Sequence, residues 1–88
     1  MTPIEFEKMD LLAQANAYAE YLRYELIELD HEIIITATKK GGVRIYTRTN
    51  EYNEAIIFEN KEDLESHIVA CHGDNFFEMM EDYKPEAR

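Results

Sequence analysis

An α+β domain in the order αβββαα, with a long N-terminal helix, a three-stranded antiparallel meander and two short C-terminal helices packed on the sheet, is what this 88-residue chain predicts. Three observations carry that expectation. A helical apolar rhythm runs without Gly or Pro from Ile4 to Leu29, two β-prone runs meet at Lys40-Gly41-Gly42, and two more capped segments follow Asn60 and Asp74. With 45% hydrophobic residues the chain has material for one core, hence a single domain over 1–88.

Thr2-Pro3-Ile4-Glu5 is a helix start: a threonine cap, proline at the first helical position and a glutamate that can answer the cap. The first helix is expected over 3–29. Ile4, Leu11, Ala15, Tyr18, Leu22, Leu26 and Leu29 recur at helical spacing and form one apolar stripe. A second band, Phe6, Met9, Ala13, Ala17, Tyr24 and Ile27 with Tyr21 at its edge, lies on the opposite side. A surface helix needs only one stripe, so the second predicts sandwiching within the fold, a strand in place of the last turns, or self-association. Phe6, Met9, Tyr21 and Tyr24 form the candidate dimer face. A helix of this length approaches about 40 Å and should overhang or bend in so small a domain.

Strands are expected over 32–39, 43–49 and 54–59. With Gly41 and Gly42 as a two-residue turn, Ile34, Thr36 and Thr38 share a face with Val43, Ile45 and Thr47, leaving Ile33, Ile35, Ala37 and Lys39 beside Arg44, Tyr46 and Arg48. A three-residue loop or a bulge would scramble that partition. Helices are expected over 61–72 and 75–84. Asn60 caps the first, whose inner face is Leu64, His67, Ile68 and Cys71 and which stops at Gly73. Asp74 caps the second, with Phe76, Phe77, Met79, Met80 and Tyr83 inward before Pro85.

Nineteen acids against nine bases give a net charge of −10, which repels nucleic acid and anionic membranes alike; neither is an expected ligand. One cysteine cannot form an internal disulfide and no apolar run is long enough for a membrane span or leader, so a cytoplasmic protein is expected. Charge is also segregated. Residues 33–50 hold Lys39, Lys40, Arg44 and Arg48 and no acid, while both flanking stretches are strongly acidic. On the last expected helix Asp74, Glu78, Glu81 and Asp82 fall within one sector at 100° per residue, and Glu62 and Glu65 add to them. Successive acids on such a ridge lie about 6 Å or less apart along the axis, a density of charge that can imitate backbone phosphates. Any amphipathic helix must turn something polar to water, but solubility needs less than −10. These six residues are therefore the candidate partner-binding set. Lys39, Arg44, Tyr46 and Arg48 are a candidate second contact surface, with edge protection of the sheet as the plainer explanation.

Signals for chemistry are sparse. His67 and Cys71 stand at i, i+4 with His72 adjacent, but two ligands are no metal site without help from Asp30, His31 or Asp74, and lining a core face explains them as well. Asp30-His31-Glu32 places carboxylates beside an imidazole, yet neighbours on a strand point to opposite faces. Nucleophile-elbow, phosphate-loop, dinucleotide and calcium motifs are lacking, so neither an enzyme nor a bound metal or cofactor is expected.

In size, acidity and helix–meander–helix–helix order the chain resembles small phage-encoded anti-CRISPR proteins and other DNA-mimic inhibitors. The resemblance spans the whole chain at the level of architecture and includes no shared motif. It implies an inhibitor in the host cytoplasm that occludes the nucleic-acid groove of a protein partner, a nucleic-acid-processing enzyme or CRISPR effector. The alternative is a homodimeric structural or regulatory protein that binds a protein partner through its first helix, its acidity serving solubility.

Overall fold

The computed structural model describes residues 2–27 and 29–81. Helices α1 (Pro3–Lys8) and α2 (Leu11–Glu25) precede strands β1 (His31–Ala37), β2 (Val43–Thr49) and β3 (Asn53–Phe58), followed by α3 (Lys61–His72) and α4 (Asn75–Met79). The α+β class and the order of helices and strands are as expected. Among the described residues no helix is long and apolar enough to cross a membrane.

The N-terminal helical stretch is not one helix over 3–29 but two. Met9 is extended at ψ 150°, and the Asp10 carboxylate accepts from the Ala13 N–H at 2.8 Å, starting α2 afresh. Buried Gln14 donates through Nε2 to the Phe6 carbonyl at 2.7 Å and so clamps the two helices together. The break removes the overhang: α2 is about 22 Å long, inside a molecule of 34 × 32 × 28 Å. It also shifts the helical phase. Phe6, from the expected outer band, is fully buried, whereas Ile4, from the expected inner stripe, is 65% exposed. Ala17 and Tyr21 likewise enter the core and Met9 packs against it. Of the candidate dimer face, Phe6 and Tyr21 are taken into the core and Met9 packs against it, while Tyr24 stays exposed.

The sheet has the order β1-β2-β3, antiparallel throughout. Its first turn is a three-residue loop: the Thr38 N–H donates to the Gly42 carbonyl at 2.9 Å, and Gly41 alone takes a positive φ, +85°. An odd loop inverts the expected pairing of faces. Ile35 stands opposite Ile45 and Ala37 opposite Val43, so Ile33 and Ile35 turn to the core, while Ile34 and Thr36 share the other face with Arg44, Tyr46 and Arg48. Apolar burial favours this register, since Ile33 and Ile35 bury more apolar surface than Ile34, Thr36 and Thr38 would. At the second turn buried Thr49 accepts through Oγ1 from the N–H groups of Glu51 and Tyr52, both at 3.1 Å.

The Asn60 side chain caps α3 by accepting from the Asp63 N–H at 2.9 Å, and Gly73 ends the helix at φ +58°. Leu64 and Ile68 face inward as expected; His67 is half-buried and Cys71 exposed, so the expected inner face is narrower. Helix α4 closes at Met79 and Asp74 makes no side-chain cap. Its buried side is Phe76 and Met80, while Met79 is half exposed, and residues 82–84 of the expected helix lie outside the described residues. Helix α2 packs on β1 and β2 and α3 on β3, while α4 packs against α2 and α3. The core between them holds Val43, Ile45, Phe58, Leu64 and Ile68 with an aromatic cluster of Phe6, Tyr18, Tyr21 and Phe76.

Candidate functional site

Three regions follow from this layering: the acidic helical layer, a cleft between helices and sheet, and the open face of the sheet. In the helical layer Glu62 and Asp63 occupy the first turn of α3, and Glu65 stands a turn further along, half-buried. Asp74 and Glu78 are exposed, and the Glu78 N–H donates to the Asp74 carbonyl at 3.1 Å. The ridge is shorter than the sequence suggests. The chain leaves the helix at Met80, so Glu81 is exposed beyond the helical row, and Asp82 lies outside the described residues.

Among the described residues the hairpin cations form no ion pair with Glu62, Glu65, Asp74 or Glu78. Among the described residues the ion pair present is local, Arg23 with Glu20, while Lys61 donates to the Glu7 carbonyl at 3.1 Å. Arg44 instead lies over the Tyr46 ring, 5.5 Å from its centroid. Arg44, Tyr46 and Arg48 share the sheet face away from the helices, with Lys39 exposed at the adjoining turn. The sheet thus lies between this basic cluster and the carboxylates of α3 and α4, while Glu32 shares the open face with Arg48.

The cleft, of about 200 Å³, opens between α2, α3 and strands β2 and β3. Leu22, Ile45, Ile56 and Phe58 make its apolar wall; Tyr18, His67, Cys71 and His72 bring polar atoms. His72 Nε2 is 3.0 Å from the Tyr18 hydroxyl and Nδ1 is 3.4 Å from the Tyr21 hydroxyl. A neutral imidazole satisfies both, accepting from one phenol and donating to the other. Sequence reasoning placed Tyr18 in the core stripe and missed this triad, because the three residues are distant in the chain.

Burial lowers the His72 pKa from 6.5; nearby His67 pushes the same way, and the Glu25 carboxylate opposes both. Burial, then Glu25, pushes Tyr21 up to about 12, and burial raises Tyr18 further. The unfolded chain accepts the His72 proton near pH 6.5 and the folded chain only below that. Stability contributed by neutral His72 is therefore complete above pH 6.5 and lost as pH falls through the lowered folded value. Thermal melts of the parent and of His72→Gln across pH 8 to 4.5, both within roughly the range where imidazoles titrate, test this. The parent should lose more stability on acidification than the variant, and parallel curves would refute the assignment.

Chemistry in the cleft is limited. The Cys71 sulfur is 3.8 Å from His67 Nε2, and among the described residues no three His, Cys, Asp or Glu side chains converge as a metal site would require. At the β1 entrance His31 Nδ1 donates to the Leu29 carbonyl at 2.9 Å. His31 and Glu32 point to opposite faces, as strand geometry demands. Compared with known proteins, the chain matches no family model, no curated relative and no solved structure.

Proposed function

We propose that the protein is a small, non-enzymatic interaction module that inhibits a nucleic-acid-processing partner by setting carboxylates where the partner's basic groove expects phosphates, in the manner of anti-CRISPR DNA mimics. The observation that carries this reading is the separation of charge. Glu62, Glu65, Asp74 and Glu78 belong to the helical layer, whereas Arg44 and Arg48 lie beyond the sheet, and among the described residues neither arginine forms an ion pair with them. A negative surface left uncompensated at close range attracts a basic groove and is weakened by salt. The partner is a protein, met in the host cytoplasm, and nucleic acid is its competitor.

The test is retention of host proteins on the immobilised chain, read by mass spectrometry, with the parent and with a variant carrying Glu62→Gln, Glu65→Gln, Asp74→Asn, Glu78→Gln and Glu81→Gln. At roughly 0.5 kcal/mol for each of five surface contacts, the variant should bind the identified partner on the order of 100-fold more weakly. Added salt and duplex DNA should each displace the parent. Undiminished binding of the variant at low salt would overturn the reading. Phe6 and Tyr21 belong to the core, so the alternative, a homodimer formed through the first helix, has Ile4, Leu12, Tyr24 and Ile27 as its exposed apolar residues.

A further inference from the structure

The sheet face turned away from the helices is the largest feature that the acidic reading leaves unused. Three cross-strand rows run across it: Glu32–Arg48–Asn53, Ile34–Tyr46–Ala55 and Thr36–Arg44–Ile57. Its middle is apolar and accessible, with Ile34 44% and Ile57 60% exposed and Ala55 open beside half-buried Tyr46. Arg44 stands at one end, with Lys39 and Lys40 exposed at the turn next to it, and Arg48 stands at the other, with exposed Glu32 as its cross-strand neighbour. Among the described residues none of these four cations has a carboxylate partner.

We propose that this face is a docking surface for an extended acidic polypeptide segment, one that carries an aliphatic side chain between two carboxylates. The argument is charge complementarity with a fixed spacing. Arg44 and Arg48 are four residues apart on β2, which at strand rise is about 13 Å, and both project from the same face. An extended partner aligned with β2 covers that span in four residues, and its side chains also repeat every second position. The fitting pattern is therefore acid-x-aliphatic-x-acid. The outer carboxylates take bidentate contacts from the two guanidinium groups and the central side chain rests on Ile34, Tyr46 and Ile57.

Two other occupants fit less well. A second copy stacked face to face would set Lys39, Arg44 and Arg48 against their equivalents, and like charges in contact oppose such a dimer. Single-stranded nucleic acid needs a run of stacking rings, but this face offers Tyr46 alone among aliphatics, and the chain's net charge of −10 repels a polyanion at long range. A local carboxylate pair with an apolar centre meets the cations without that long-range burden.

Amide chemical shifts report the outcome directly. The labelled full chain is titrated with the acetylated, amidated peptide Thr-Glu-Thr-Ile-Thr-Glu-Thr, with its Glu→Lys counterpart, and with a thymidine oligonucleotide. The acidic peptide should shift amides of residues 32–36, 44–48 and 53–57 with a Kd of about 1 mM or tighter, and the lysine peptide should not. Arg44→Gln with Arg48→Gln should weaken binding about tenfold with the fold intact by circular dichroism, the loss expected for two exposed charge pairs. Ile34→Thr with Ile57→Thr is an independent variant with the same expected direction. The inference fails if the acidic peptide leaves these amides unmoved at millimolar concentration, if the oligonucleotide binds more tightly, if the parent dimerises through this face, or if both folded variants bind like the parent. None of these outcomes depends on the acidic helical layer, so the two readings stand or fall separately.

Discussion

Phe76→Ala is expected to lower stability by about 3–5 kcal/mol, the cost of removing a large aromatic from a closed core. Phe76 is fully buried, and its ring meets Phe77 at 4.9 Å, Phe6 and Tyr21 at 5.3 Å and Tyr18 at 6.2 Å between centroids, all edge-on. Those contacts join α1, α2 and α4, so no single element can move in to fill the cavity. In a domain whose whole stability is on the order of 5–15 kcal/mol, the loss should bring the melting temperature down by roughly 15–30 °C. Chemical denaturation with a constant slope is the measurement. Phe76→Leu keeps much of the volume and should cost less than half as much. A drop of under about 1 kcal/mol for the alanine variant would mean that α4 is not anchored as described. Because Asp74 and Glu78 ride on that anchor, partner binding should fall with stability, which is why charge variants rather than core variants test the proposed function.

Gly42→Ala is the second large effect, expected to cost about 2–3 kcal/mol. A Cβ on Gly42 would stand 2.6 Å from the Phe58 carbonyl oxygen and 3.2 Å from the Glu59 Cα, both backbone atoms that cannot step aside without moving the end of β3. The Gly42 N–H also donates to Thr38 Oγ1 at 3.0 Å, which holds the loop against the strand it would need to leave. Gly41 differs. Nothing lies within 4 Å of its hypothetical Cβ, but its φ of +85° strains any ordinary L residue. Gly41→Ala should therefore cost about 1 kcal/mol through the backbone alone, and Gly41→Asn less, since asparagine tolerates this region. Equal costs for alanine at both positions would show that the close approach of β3 is not real.

Most elements were legible because their signals are local. Thr2-Pro3, Asn60 and Gly73 act on the adjacent turn, and both the α3 bounds and the β2 bounds fall where the residues put them. The break at Met9 was also written in the sequence. Asp10 precedes an apolar run with Ala13 positioned to donate, a second cap inside an apparently continuous rhythm. It was obscured because two short amphipathic stripes out of phase look like one helix with two apolar faces. The parity of the hairpin loop had a weaker signal, the higher apolar content of Ile33 and Ile35 against Val43 and Ile45. The cleft triad of Tyr18, Tyr21 and His72 had none, since 51 residues separate Tyr21 from His72.

From the residues alone follow the α+β class, the order of elements, the strong negative charge and its interruption by a basic hairpin; each depends on composition or on neighbours within a turn. Tertiary packing decided which side chains those elements expose. The core drew in Phe6 and Tyr21 and took the Ile33–Ile35 side of the hairpin, leaving Ile34, Tyr46 and Ile57 with the arginines outside. The reason is that burial is won by the whole set of apolar groups at once, so a single-residue change in loop length or a change of helix phase reassigns every position on an element without altering the element itself.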